Sequence, residues 1–373
     1  MQLSRSIPPN LVIVAVLAVV YLIAAKLGLM LAFVHASATA VWPPTGIALA
    51  AFLVYGYRVW PGIFVGAFLA NVTTEGTVAT SFGIAAGNTL EGVTGAYLVN
   101  RFAGGTHAFE RPQDVFRFAV LAGTISTMVS ATVGVTSLSL GGFADWADYG
   151  AIWWTWWLGD AVGALLVAPL LVLWLTNRRV QWQQGHIREA ACLVLCLFVV
   201  GQAVFGGWIP LKDNDYPLDY LCVPILVWAA FRFGPRETAT ATVLLSGIAL
   251  WGTLRGFGPF AKETSNESLL LLQAFIGVTA LLAMMFAAVV AERDRFEAKR
   301  EALVQELQNA FEHIKALRGL LPMCASCKKI RDDEGYWDYI ENYIHTHSEA
   351  TVTHGICPDC MKKLYPELEK QAK

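Results

Sequence analysis

Long unbroken apolar runs limit what this chain can become more than any other feature. The first, residues 11–33, follows Arg5 and exceeds the roughly 20 apolar residues a helix needs to cross a bilayer. Nine more follow, at 45–55, 60–70, 80–100, 115–140, 151–175, 190–208, 220–231, 238–254 and 269–290. A secretory leader would be shorter and end in a small-residue cleavage site, so the first run reads as an uncleaved span. Only 15% of the residues are charged, against about 25% in soluble domains, and a soluble globular protein is thereby excluded. The net charge of −2 carries little information, because the charges concentrate after Val290.

Basic residues alternate between the two sides of these runs. Arg5, Arg58, Arg101, Arg111, Arg117, Arg178, Arg179, Arg188, Arg232, Arg236 and the cluster at 293–300 share one side. The other side holds Lys212, Arg255 and Lys262. The positive-inside rule then places both termini in the cytoplasm. Runs 45–55, 60–70 and 220–231 are short for full spans and read as re-entrant or neighbour-dependent. The expected fold is an all-α polytopic membrane bundle of eight to ten spans over residues 1–291. A coiled-coil helix at 292–321 and a small zinc-stapled domain at 322–373 follow it. A faint repeat links "AAFLVYGYR" at 50–58 with "AAFRFGPR" at 229–236, each following a proline. A tight turn wanting Gly and Arg explains it as well as duplicated halves do.

Ionisable and polar groups at membrane depth are costly and mark function or structural pairing. Lys26 lies late in the first run, and Asp160 lies in "WWLGDAVGALLVAPL". Asn88 and Glu91, three apart in "AGNTLEG", share a helix face. Either Lys26 pairs with Glu91 or Asp160, or these groups line a pocket for a small ligand or a proton. In "VWPPTGIALA" two prolines delay the next helix to about Thr45. Trp42 is then expected at the bilayer interface, beside a helix N-terminus that could receive an anion. The candidate ligand-binding residues are Lys26, Trp42, Asn88, Glu91 and Asp160. Trp153, Trp154, Trp156 and Trp157 read as an interfacial belt.

The three stretches "KLGL…AVWPPTGIALA", "AGNTLEG" and "WWLGDAVGALLVAPL" together resemble the bacterial membrane-associated sensor domain of the first type. That module precedes histidine kinases and diguanylate cyclases. The resemblance covers about residues 11–292. It implies an input domain of the bacterial inner membrane and supplies no binding residue.

After Val290 the pattern changes. Phe296, Leu303, Ala310 and Leu317 fall on one heptad position, and Leu307, Ile314 and Leu321 on the other, with Arg300 interrupting. Spacing of three then four predicts a parallel coiled-coil homodimer. The alternative is a lone amphipathic helix on the tail. His313 lacks the surroundings of a phospho-acceptor. The sequence contains no glycine-rich nucleotide site and no cyclase or phosphodiesterase signature, so no enzyme activity is expected.

Cys324 and Cys327 form one Cys-x-x-Cys, and Cys357 and Cys360 form another. On the cytoplasmic side disulfides are disfavoured, and four thiolates suit a closed tetrahedral zinc. The expected cofactor is structural zinc on these four cysteines, with His354 as the alternative ligand. A redox-switched thiol pair is the other reading. Residues 317–368 resemble the short C-terminal module of bacterial two-component and sensory-box proteins, which implies signalling without an assigned activity. The whole chain thus reads as a sensory protein. A membrane cue passes through a dimeric coiled coil to a module that meets a cytoplasmic signalling protein. The expected partners are the bilayer, a second copy, that signalling protein and a small ligand, with no nucleic acid. A transporter-like carrier with a regulatory tail is the rival.

Overall fold

The structure, a computed structural model, describes residues 9–30, 32–35, 38–74, 76–176, 184–208, 218–313, 321–332, 334–348 and 350–365. The orientation markers Arg5, Arg178, Arg179 and Lys212 and the seam residues Ile314 and Leu317 lie outside these. The chain divides into two units, Met1–Arg295 and Phe296–Lys373.

Each of the ten apolar runs is helical over most of its length. In the first unit the order begins α1 (Pro9–Leu29), α2 (Pro43–Tyr55), α3 (Trp60–Val72) and α4 (Val78–Phe102). It continues with α5 (Pro112–Phe118), α6 (Thr127–Leu140), α7 (Tyr149–Thr176), α8 (Gln184–Phe205), α9 (Val223–Arg232), α10 (Pro235–Leu254) and α11 (Ser265–His313). Among the described residues, five helical stretches are long and apolar enough to cross a membrane: Leu11–Leu29, Pro112–Leu140, Tyr149–Thr176, His186–Phe205 and Asn266–Phe311. The short apolar helix α2 is a further, buried one. One element escaped the sequence. A small antiparallel ribbon, β1 (Ala32–His35) with β2 (Ala38–Thr39), joins α1 to α2.

The helix α7 is the hub. About 61% of its most apolar stretch is buried, against 22% for α1 and for α8, so these two present most of their surface outward. On α1 that surface includes Leu11, Val16, Val19, Ile23 and Leu27, as lipid contact requires. Helix α7 packs against α2, α6 and α10. Helix α1 pairs with α3 as α8 pairs with α10. Both short helices, α2 and α9, start with proline in the first turn. Each leads to a glycine with extended ψ and positive φ, Gly56 at φ 78° and Gly234 at φ 97°, where a side chain would be strained. The two turns noticed in sequence therefore share one backbone conformation and one place in their helical triplets.

Helices α5 and α6 run on through a π-helical stretch at Ala119–Ile125, where Ser126 N–H bonds Leu121 O at 3.0 Å. The wider turn leaves the Thr124 carbonyl to accept from Trp157 Nε1 at 3.0 Å.

The second unit holds two small elements besides the end of α11. Strands β3 (Ile330–Arg331) and β4 (Trp337–Asp338) pair antiparallel, followed by α12 (Ile340–His347) and α13 (Pro358–Leu364). Among its described residues Ile330 and Tyr343 are the buried hydrophobics, a very small core.

Candidate functional site

The site is set by the start of α2. Pro43 and Pro44 occupy the first helical turn, where their missing N–H costs nothing. The chain enters this turn extended at Trp42, whose N–H bonds the Gly159 carbonyl of α7 at 3.0 Å. Helix α7 meets this turn without a side chain between them. A Cβ on Gly163 would lie 2.0 Å from the Trp42 carbonyl oxygen. Only glycine permits such backbone contact, as small residues do between membrane helices.

This approach places Thr45 between two acids. Its Oγ1 lies 3.1 Å from Asp160 Oδ1 on α7 and 3.3 Å from Glu91 Oε2 on α4. One turn before Glu91, Asn88 Nδ2 donates to the Tyr21 hydroxyl of α1 at 3.1 Å. Asn88 Oδ1 accepts from Ser130 of α6 at 2.7 Å. Trp156 Nε1 of α7 donates to the same Ser130 hydroxyl at 3.1 Å. Five helices thus converge on one polar centre, and Tyr21, Thr45, Asn88, Glu91, Ser130, Trp156 and Asp160 are all buried.

No cationic side chain among the described residues shares this centre. Lys26 instead donates to Thr74 Oγ1 at 2.6 Å, so the expected ion pair with Glu91 or Asp160 does not form. Glu91 Oε1 and Asp160 Oδ2 are buried without a hydrogen-bond partner. Two carboxyls share one hydroxyl, which has a single proton to give. Burying unpaired charge costs far more than burying a hydrogen-bonded dipole. The balancing positive charge, proton or cation, must therefore come from outside the side-chain set.

Two further expectations change. Trp42 is not an interfacial anchor; it is 8% exposed, with its ring against Gly28. The N-terminus of α2 faces the protein's own Glu91 and Asp160 through Thr45, so the chain supplies the acidic groups there itself. The tryptophan row also divides. Trp154 is exposed, as an interfacial belt requires, Trp153 and Trp157 stack at 5.9 Å, and Trp156 belongs to the polar centre. Sequence reasoning missed Thr45, Tyr21, Ser130 and Gln273. Thr45 had a legible signal, being the first polar residue after a double proline. Ser130 had none.

Gln273 links α11 to this region. Its Nε2 donates to the Thr39 carbonyl at 3.2 Å, and the Thr155 carbonyl of α7 lies at 3.5 Å. Gln273 is 1% exposed, and its Oε1 has no partner.

The cysteine knuckles form locally and separately. Cys324 N–H bonds Lys329 O at 2.8 Å and Lys328 N–H bonds Cys324 O at 3.0 Å, with Lys328 turned through φ 63°. Backbone N–H groups of Cys327 and Ser326 hold the Cys324 thiol below its ordinary pKa. Cys357 caps α13, its Sγ accepting from Cys360 N–H at 3.5 Å, and its thiol is likewise lowered, chiefly by that N–H. Both arrangements favour thiolate, the form that binds metal. The structure does not gather the four sulfurs. Among the described residues no group of three or more His, Cys, Asp or Glu side chains is placed to hold a metal. His354 is exposed, and all seven cysteines are free thiols.

A model of the MASE1 family matches residues 13–294. Over 203 residues the chain is 23% identical to the probable diguanylate cyclase DgcE of Escherichia coli (strain K12). That similarity covers 53% of this chain and 17% of the relative, so the chain spans a small part of that protein's length. No solved structure matches.

Proposed function

Because the chain belongs to the MASE1 family, we propose that it is a sensory signalling protein of the bacterial inner membrane. Its polar centre holds the cue-dependent state, and α11 transmits that state. The observation that carries this reading is the continuity of α11 from Ser265 to His313. Near its start Gln273 is buried against α7, its Nε2 3.5 Å from the carbonyl of Thr155, about one turn before Gly159 and Asp160. Farther along the same helix the heptad residues Phe296, Leu303, Leu307 and Ala310 are exposed. Apolar residues at this spacing suit the seam of a two-stranded coiled coil, so the two ends of one continuous helix carry two jobs.

The mechanism is a shift between two packings of the bundle. Adding or removing positive charge at Thr45, Glu91 and Asp160 changes how tightly α2 and α4 hold α7. The Gln273 contact passes the difference to α11. Both termini are cytoplasmic, and the cysteine module is an adaptor without catalysis, stapled by zinc on Cys324, Cys327, Cys357 and Cys360. The backbone N–H groups that favour thiolate at Cys324 and Cys357 suit zinc, which would close the two knuckles onto each other. Zinc per chain, measured on the full protein, should be one and should fall in Cys357→Ser.

The relay is tested by cysteine crosslinking at Leu303→Cys in native membranes. A dimer band that forms in the parent and changes in yield with Glu91→Gln supports it. A monomer in both sinks it. Ion or solute flux in proteoliposomes, with no change in that band, would point to a carrier instead.

A further inference from the structure

A second cavity, away from the polar centre, lies where α11 leaves the first unit. Its volume is about 480 Å3, within the range of sites that take small molecules. Three guanidinium groups reach its wall from three different elements: Arg232 at the end of α9, Arg236 in the first turn of α10 and Arg295 on α11. His107 and His186 line it as well. Helix α10 begins at the cavity with no side-chain cap on its N-terminus, so its positive dipole end adds to the same field. Arg236 is buried, with its guanidinium 4.8 Å over the Trp174 ring. The aromatic face fixes the direction of this desolvated guanidinium at the cavity wall.

The carboxylates present answer these cations one at a time. Arg232 is bound by Glu189, Arg236 by its neighbour Glu237, and Arg295 by Glu110 at 2.7 Å. A planar carboxylate offers two oxygens to one fork. Three forks arriving from three directions suit a tetrahedral group with three terminal oxygens. We propose that this cavity binds a phosphoryl-bearing anion, either a free phosphate compound or the headgroup of an anionic lipid. Occupancy draws Arg295 away from Glu110. That pair ties α11 to the connector between α4 and α5, where Glu110 also holds His107 at 2.7 Å. The consequence for output rests on the relay proposed above; the binding does not.

The experiment uses the full chain in nanodiscs of pure phosphatidylcholine and measures equilibrium binding of labelled pyrophosphate at low salt. Binding should saturate and weaken about tenfold or more in Arg232→Gln, the loss expected for one charge-assisted fork. Arg232 is half-exposed, so its replacement leaves folding intact, and Arg236→Gln serves as the second variant. Arg58→Gln, exposed and outside the cavity, should bind as the parent does. A parallel arm measures phosphatidylglycerol retained through purification. Retention lost in Arg232→Gln, with pyrophosphate competing, assigns the source to lipid. No saturable pyrophosphate binding, together with equal phosphatidylglycerol retention in parent and variants, overturns the site. Crosslinking at Leu303→Cys that ignores pyrophosphate while binding persists would remove the relay and leave the site standing.

Discussion

Replacing Thr45 with valine keeps the shape of the side chain and removes the hydroxyl that bridges α4 and α7. Two interhelical contacts disappear, at 3.1 Å to Asp160 and 3.3 Å to Glu91. Interhelical hydrogen bonds in membranes average about 0.6 kcal/mol and reach about 1.7. The hydroxyl has one proton to give, so the loss is one such bond plus the acceptors left unsatisfied, about 1 to 3 kcal/mol together. The upper half of that range applies here, because Glu91 Oε1 and Asp160 Oδ2 already lack partners and the variant leaves Oε2 and Oδ1 without theirs. Reversible unfolding of the full chain by sodium dodecyl sulfate, followed by circular dichroism, reads the difference. Thr45→Ser keeps the hydroxyl and should recover most of it. A Thr45→Val protein as stable as the parent would mean that the carboxyls pair directly, and the bridging role given to Thr45 would be wrong.

Other outcomes follow from the same geometry. Gly163→Ala drives a methyl into the Trp42 carbonyl, which would lie 2.0 Å away, and should cost about 1–3 kcal/mol or more of overpacking in the same assay. Lys26→Gln, by contrast, leaves a partner for Thr74 and spares the polar centre, so it should cost under about 0.5 kcal/mol. Burial pulls the Glu110 carboxyl upward, but the His107 hydrogen bond and the charges of Arg295 and His107 hold it below the usual carboxylate range. A lowered folded-state pKa means that the contact stabilises above the unfolded value of about 4.3 and is lost as pH falls through the folded one. The melting-temperature difference between the parent and Glu110→Gln should therefore be steady at neutral pH and shrink below about pH 4. In metal-free protein, Cys324 and Cys357 should alkylate ahead of Cys327 and Cys360 in peptide mapping, and zinc should slow all four.

The helical bundle could be read from the sequence because the signal for it is long and local. Most of each apolar run became helix, and prolines and glycines placed the starts and turns of α2 and α9. Glu91, Asn88 and Asp160 were legible as candidates because charge and amide at membrane depth stand out. What joins them was not legible. Thr45, Tyr21 and Ser130 are ordinary residues for a membrane helix, and their importance comes from the backbone contact permitted at Gly163, where a Cβ would lie 2.0 Å from the Trp42 carbonyl oxygen, a property of two helices together. The same holds for Lys26 and Trp42. Each was conspicuous in sequence, yet Lys26 turns to Thr74 while Trp42 turns inward onto Gly28. Tertiary packing decides which conspicuous residues meet. In the cysteine unit the local knuckles followed from spacing, whereas no local signal says how the two pairs meet.

Hydrogen exchange over residues 296–313, compared between the parent and Asp160→Asn in nanodiscs, tests the relay most directly. The substitution lies in the bundle interior. If α11 carries the state of the buried acids outward, exchange along 296–313 changes in the variant. Superimposable exchange in that segment, with altered exchange confined to helices α2, α4 and α7, would show that nothing is transmitted.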